Sequence, residues 1–167
     1  TMVSNLGHVH YRGDIKGRLE NIDLHGAFTT ALGAMNVNGD LHIDTTLSHI
    51  DFCGHLSTRK FQLGRLIDQA DLGAVAFHAH VDGKIDSTSL THCIAEADIH
   101  SIEVFGYKYK NIRIDGEMYS EEVNGSLTIN DENIRLNING LADWSEEDTR
   151  LDLTIDLAQF QPAKLNL

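Results

Sequence analysis

Ile112-Arg-Ile-Asp-Gly-Glu-Met118, Val123-Asn-Gly-Ser-Leu-Thr-Ile129 and Ile134-Arg-Leu-Asn-Ile-Asn-Gly140 decide how the chain is read. Apolar and polar residues alternate through each run, and Ser120-Glu121-Glu122 and Asn130-Asp131-Glu132-Asn133 separate the runs. Strict alternation places one residue in two on each face of an extended backbone, so the pattern predicts half-buried antiparallel strands joined by short polar turns, a β-meander. In every run a glycine (Gly116, Gly125, Gly140) occupies the apolar side, where a core side chain would ordinarily stand.

The same pattern extends in both directions. Val9 to Leu19 keeps one parity and Ile22 to Phe28 takes the other after a slip at Glu20-Asn21, which marks a turn or bulge. Met35 to Ile43, Ile50 to Leu56 and Val75 to Ile85 alternate, Leu90 to Val104 does so less regularly, Tyr107 and Tyr109 lead into the central runs, and Leu151 to Leu157 closes the series. Between Ser57 and Asp68 the period of two is lost around Phe61, Leu63, Leu66 and Ile67, and with Thr58 as N-cap a short helix of about two turns is expected there. The expectation is about ten strands and one short helix, with the only proline, Pro162, beyond the last strand, where it removes no ladder hydrogen bond.

Gly13, Gly17, Gly26, Gly39, Gly54, Gly83, Gly116, Gly125 and Gly140 all share the parity of the apolar residues in their own strand. Glycine within a strand weakens it unless the backbone must bend or be closely approached. The fold expected is therefore all-β: a long, strongly coiled antiparallel meander, an open, taco-like groove with its apolar face concave. A β-sandwich, in which bulky residues of an opposite sheet fill the glycine positions, and a closed barrel are the alternatives. Since each strand-borne aliphatic side chain left wet forgoes roughly 1.5 to 3 kcal/mol, something must cover that face: the sheet's own far wall, the short helix, or an apolar ligand.

Composition narrows the function. The 167 residues suit one domain, 41% hydrophobic and 23% charged, and 13 Lys and Arg against 25 Asp and Glu leave a net charge of −12. Such a surface repels nucleic acid and anionic bilayer surfaces at long range. No apolar run approaches the roughly 20 residues of a membrane helix, and no basic and apolar leader opens the chain. Thr1 ahead of Met2 suggests an excised piece of a longer protein. Cys53 and Cys93 are too few for a disulfide framework, although a single bridge between them is open. His8 with His10, His78 with His80, and His92, Cys93 and His100 have strand spacings that can bring metal ligands together, but no acidic residue follows at a matching spacing, so no metal is expected. The acid-rich turns lack the alternating acids and central glycine of a calcium loop and read as solvated. Nucleophile elbows and phosphate-cradling loops are missing too, so neither catalysis nor a cofactor is expected.

Gly17-Arg-Leu-Glu-Asn-Ile-Asp-Leu-His-Gly26, Phe52 to Ile67, Gly106-Tyr-Lys-Tyr-Lys-Asn-Ile-Arg-Ile-Asp-Gly116, Asn130 to Asp143 and Leu157 to Leu167 together resemble the periplasmic repeat region of TamB-like proteins of the AsmA superfamily, especially those of Bacteroidota. The resemblance spans nearly the whole chain and rests on β pattern, not on a catalytic signature. It implies a single groove domain over residues 1–167, cut from a longer repeat-like protein anchored in the inner membrane by an N-terminal helix. It also implies a periplasmic location, phospholipid acyl chains as cargo moving between inner and outer membranes, and support for outer-membrane protein assembly with a barrel partner contacted through the full-length chain. A greasy trough needs uncharged, alternating aliphatics, and Val75, Phe77, Val81, Ile114, Met118, Leu127, Ile129, Ile134, Leu136, Ile138, Leu153 and Ile155 are the expected lining. Two other classes compete with it. One is a periplasmic or secreted sandwich binding ligands through loops such as Trp144 to Asp148. The other is an outer-membrane barrel, for which 7% aromatic residues is low.

Overall fold

The computed structural model describes residues 5–18, 20–44, 46, 48–86, 89–145 and 148–167. The expected end of the first strand at Leu19, and Glu146 and Glu147 of the acidic loop, lie outside these residues. Ten strands follow one another: β1 (His10–Arg18), β2 (Asn21–Thr30), β3 (Gly33–Ile43), β4 (His49–Gln62), β5 (Leu72–Asp86), β6 (Ser89–Val104), β7 (Tyr107–Tyr119), β8 (Glu122–Asn130), β9 (Ile134–Asp143) and β10 (Arg150–Phe160). Each is hydrogen-bonded to the next in sequence order, antiparallel throughout, in one ten-stranded sheet whose outermost strands, β1 and β10, are not paired to each other. The meander is thus open. It is neither of the alternatives, a sandwich or a closed barrel.

The helix is shorter than the sequence suggests. Between Ser57 and Asp68 the helical residues are Leu63–Ile67 (α1), and Asp68 closes the helix in a left-handed conformation at φ 58°. Thr58 is not its N-cap: β4 runs on to Gln62, and Thr58, buried within the strand, donates from its hydroxyl to the carbonyl of Ala34 at 2.7 Å. What breaks the alternation is a bulge between Thr58 and Phe61, which swings Phe61 into register with Val75. Two further bulges, opposite Ala76–Phe77 and Lys84–Ile85, explain the irregular reading of Leu90 to Val104, which forms the single 16-residue strand β6.

The packed core is small and lies along one rim of the sheet. Leu32, Phe61 and Val75 are buried together, with Leu6, Met35, Leu63, Leu66, Phe77, Ile99 and Ile102 against them, so α1 covers this rim alone. Further along the rim Ile112, Ile134 and Leu165 are buried, the last just after the 3-10 turn Pro162–Lys164. The same rim holds a polar bracket. Asp131, only 3% exposed, accepts from the Tyr107 hydroxyl at 2.6 Å and from the backbone N–H groups of Lys110 and Asn133, each at 3.0 Å. The Asn133 amide in turn donates to the Tyr107 oxygen at 2.9 Å. Within the turn Asn130–Asn133, expected to be solvated, Asp131 and Asn133 are thus buried and bonded to β7 while Asn130 and Glu132 are exposed, and burial together with Asp131 pushes the Tyr107 phenol up.

Candidate functional site: an open apolar trough

The register joins the apolar positions of successive strands into rows that run across the whole sheet. One row reads Ile15, Leu24, Gly39, Gly54, Val81, Ala95, Gly116, Gly125, Gly140, Leu153. Beside it on one side run Gly13, Gly26, Val37, Leu56, Ala79, Ala97, Ile114, Leu127, Ile138 and Ile155, and on the other Gly17, Ile22, Leu41, Phe52, Gly83, Cys93, Met118, Val123, Ala142 and Leu151. None of these residues is charged. The one ionisable group among them, the Cys93 thiol, is pushed up by burial and then by Asp82, and so stays neutral. With ten strands at the usual spacing, the rows extend for roughly 40 Å.

Glycines of the middle row let neighbouring backbones approach closely. A Cβ on Gly39 would lie 2.7 Å from the Cα of Gly54, and one on Gly54 would lie 2.8 Å from the Cα of Gly39, so the two backbones lean together on the apolar side. At Gly140, with φ +150°, a Cβ would stand 2.0 Å from the carbonyl oxygen of Asp152. Gly83 works differently: it makes room for the ring of Phe52 on the neighbouring strand, not for a residue of a second sheet. Two apolar hollows result. One of about 210 Å³ lies over Gly39 and Gly54 among Leu24, Val37, Leu41, Phe52, Leu56 and Val81. The other, about 230 Å³, lies over Gly116, Gly125 and Gly140 among Ile114, Val123, Leu127, Ile138, Ala142 and Leu153.

The expected lining divides in three. Val81, Ile114, Met118, Leu127, Ile138, Leu153 and Ile155 stand in the three rows. Ile129 and Leu136 stand in the next row toward the packed rim, beside Ile112. Val75 (5% exposed), Phe77 and Ile134 belong to the rim core instead. Toward β10 the face is bare: Ile114, Leu153 and Ile155 are 38%, 44% and 60% exposed. Leu24, Val37, Leu41, Phe52 and Leu56, which line the first hollow, carry the same alternation and were legible by the same rule.

Polar side chains occupy the opposite face. His55 and His80 lie tilted to each other at 4.6 Å between ring centroids, His78 meets His100 edge-on at 5.0 Å, and His92 bonds Glu117 at 2.9 Å, an interaction that holds the Glu117 carboxyl below its usual range. Among the described residues no three His, Cys, Asp or Glu side chains are grouped so as to hold a metal ion. Cys53 sits on this face beside Asp40 and Asp82, and Cys93 on the other, so both are free thiols and the two do not bridge. No helix among the described residues is long and apolar enough to cross a membrane. Comparison with protein-family models, with curated proteins and with solved structures finds no match to this chain.

Proposed function

We propose that this chain is a segment of a periplasmic apolar groove that carries phospholipid between the inner and outer membranes, as the TamB-like proteins it resembles are thought to do. The observation that carries the reading is the uncovered apolar face. Three uncharged rows cross all ten strands, neighbouring backbones approach closely at Gly39, Gly54 and Gly140, and the described residues place only α1 and the Pro162–Lys164 turn with Leu165 along one rim. Leaving so many aliphatic side chains wet is costly at about 25 cal/mol per Å², and an acyl chain laid along the rows recovers that cost. The mechanism is passive. Acyl chains lie against the aliphatic rows with headgroups in water, and because the rows change little from strand to strand, a chain can slide without leaving a specific site. A role in outer-membrane protein assembly, through a barrel partner of the full-length protein, would use the same face for an unfolded apolar strand.

The test is photocrosslinking from the envelope of cells making the protein, with the reactive group at Leu127 or Ile138 on the trough and at Thr128 on the opposite face. Phospholipid captured at the first two positions and not at the third is the expected result. Silence at both trough positions, or equal capture at Thr128, overturns the reading.

A further inference from the structure

On the polar face, directly behind the first apolar hollow, four side chains of metal-ligand type stand at the corners of one rectangle. Cys53 and His55 flank Gly54 on β4, and His80 and Asp82 flank Val81 on β5. The register sets Cys53 opposite Asp82 and His55 opposite His80, with Gly54 and Val81 paired between them on the trough side. The bulges of β4 and β5 all lie outside this stretch, so its ladder is regular. Opposed Cβ atoms of antiparallel strands are about 5 Å apart and residues two apart on one strand about 7 Å, which puts the centre of the rectangle roughly 4 Å from each Cβ. A cation above that centre, displaced toward the short thiol arm, is within reach of all four heads. As the side chains lie, they form two separate pairs. The His55 and His80 ring centroids are 4.6 Å apart, and the Cys53 thiol bonds the Asp82 carboxylate. For that reason no three of them yet converge on one point. One need is left unmet: Nδ1 of His80 is buried and has no hydrogen-bond partner, whereas buried polar atoms are ordinarily satisfied.

We propose that Cys53, His55, His80 and Asp82 together bind one Zn2+ ion. A donor set of one sulfur, two imidazole nitrogens and one carboxylate oxygen suits zinc, which takes four tetrahedral ligands, whereas calcium and magnesium take oxygen. The charge fits as well. A thiolate and one carboxylate cancel the charge of the ion, and Asp40, opposite Cys53 on β3, adds a further negative charge beside the site. In the metal-free chain desolvation, and then Asp82 and Asp40, push the Cys53 thiol up, so it carries its proton at neutral pH. When the S–Zn bond forms, that proton passes to solvent, while the two neutral imidazoles bind through their lone pairs and release none. Gathering the ligands takes rotation of the Cys53 and His55 side chains, both exposed, and so disturbs no packed core. Glu96, opposite His80 on β6, is the residue placed to hold the remaining imidazole N–H, the usual support of a ligating histidine. The bound ion clamps β4 to β5 behind Gly54 and Val81, fixing the floor of the first hollow from the polar side. It does not depend on lipid in the trough.

Calorimetric titration of the reduced, chelator-stripped protein with Zn2+ tests this, in two buffers of different ionisation enthalpy and with Co2+ as a spectroscopic stand-in. The native protein is expected to bind one Zn2+ per chain at micromolar affinity or tighter, and to release about one proton near neutral pH. With Co2+ it should show a thiolate-to-metal charge-transfer band and the strong visible absorption of tetrahedral cobalt. Cys53→Ser should abolish the charge-transfer band, and Cys53→Ser and His80→Gln should each weaken zinc binding on the order of tenfold or more. Cys93→Ser and His100→Gln should change neither, and circular dichroism checks that every variant keeps the native strand content. A native protein that binds no zinc at micromolar concentrations overturns the proposal. Cobalt bound without the charge-transfer band overturns it too, as does a zinc affinity that Cys53→Ser and His80→Gln leave unchanged, since the ion is then held by other histidines.

Discussion

Replacing Ile155 with aspartate separates a trough from a core. Burying an isoleucine fully is worth roughly 1.5 to 3 kcal/mol, but Ile155 is 60% exposed, so it has at most about 1 kcal/mol of burial to lose. Its neighbour across the ladder is Ile138, and a carboxylate at that position stays hydrated on the open side of the sheet. Adding the poorer strand preference of aspartate, up to ~1 kcal/mol, gives a total of about 1 to 2 kcal/mol. Val75, only 5% exposed between Phe61 and Leu32, is the opposite case. There the aspartate forfeits the whole transfer term and is itself desolvated, for a loss above about 4 kcal/mol, a large part of the 5 to 15 kcal/mol that holds a domain together. Urea denaturation followed by far-ultraviolet circular dichroism measures both, and the comparison is clean if the slope is unchanged between variants. Ile155→Asp should leave a cooperative, slightly destabilised protein that no longer crosslinks lipid from nearby positions. If instead it costs as much as Val75→Asp, the face is covered in the native protein and the trough does not exist.

Asp131→Ala strands the Tyr107 hydroxyl and two backbone N–H groups in a buried joint and should cost on the order of 3 kcal/mol, a fall in Tm of roughly 6 to 12 °C; a change under 2 °C would mean the bracket contributes nothing. Gly125→Ala forces a methyl to 2.6 Å from the Asp115 carbonyl oxygen, whereas the nearest atom to a methyl at Gly116 is 3.3 Å away, so calorimetry should find the first variant destabilised by about 2 kcal/mol more than the second. The Asp44 carboxyl is held far below its usual range, first by the Thr46 hydroxyl and then by the His49 and Ser48 N–H groups. Its folded pKa lies below the unfolded value near 3.9, so its contribution is complete above that pH and vanishes as pH falls through the lower folded value; carboxyl chemical shifts should place its midpoint well under the unfolded value, and a midpoint near 4 would refute the bonded loop. Under mild oxidation both thiols should remain free in a non-reducing mass measurement, and an internal Cys53–Cys93 bridge would contradict their placement on opposite faces.

The strands and the apolar face were legible because alternation is a local property: Met35 to Ile43 or Ile134 to Gly140 declares its two faces without reference to any other segment. The glycine parity was legible for the same reason, and it pointed to the close backbone approach. What the chain does not display locally is register. That Gly39 meets Gly54 and that Gly116, Gly125 and Gly140 meet in turn depends on turn lengths and bulges between strands, so the two glycine clusters of the row emerge only in the folded sheet. Bulges also misled directly. The one extra residue after Thr58 imitates the loss of period that opens a helix, and strand and helix signals are indistinguishable over so short a span. Asp131 was read as solvated because an acid in a polar turn ordinarily is; its burial arises from Tyr107, 24 residues earlier, folding back over it. Val75, Phe77 and Ile134 satisfied the alternation as well as Ile114 did; Val75 and Phe77 lie at the rim that α1 closes, and Ile134 is buried further along it.

Every strand of this sheet is hydrogen-bonded only to the strands before and after it in the chain. The molecule is therefore close to one-dimensional. Its contacts are local, so folding can begin at any hairpin and spread outward, and the barrier should be low for an all-β protein of this length. The same property makes length an evolutionary variable. Duplicating or deleting one pair of strands restores direction and facing, leaves every other neighbour relation untouched, and lengthens or shortens the structure by about 10 Å. A protein built this way can be fitted to the distance it must span by counting hairpins, with no new packing problem to solve at each addition.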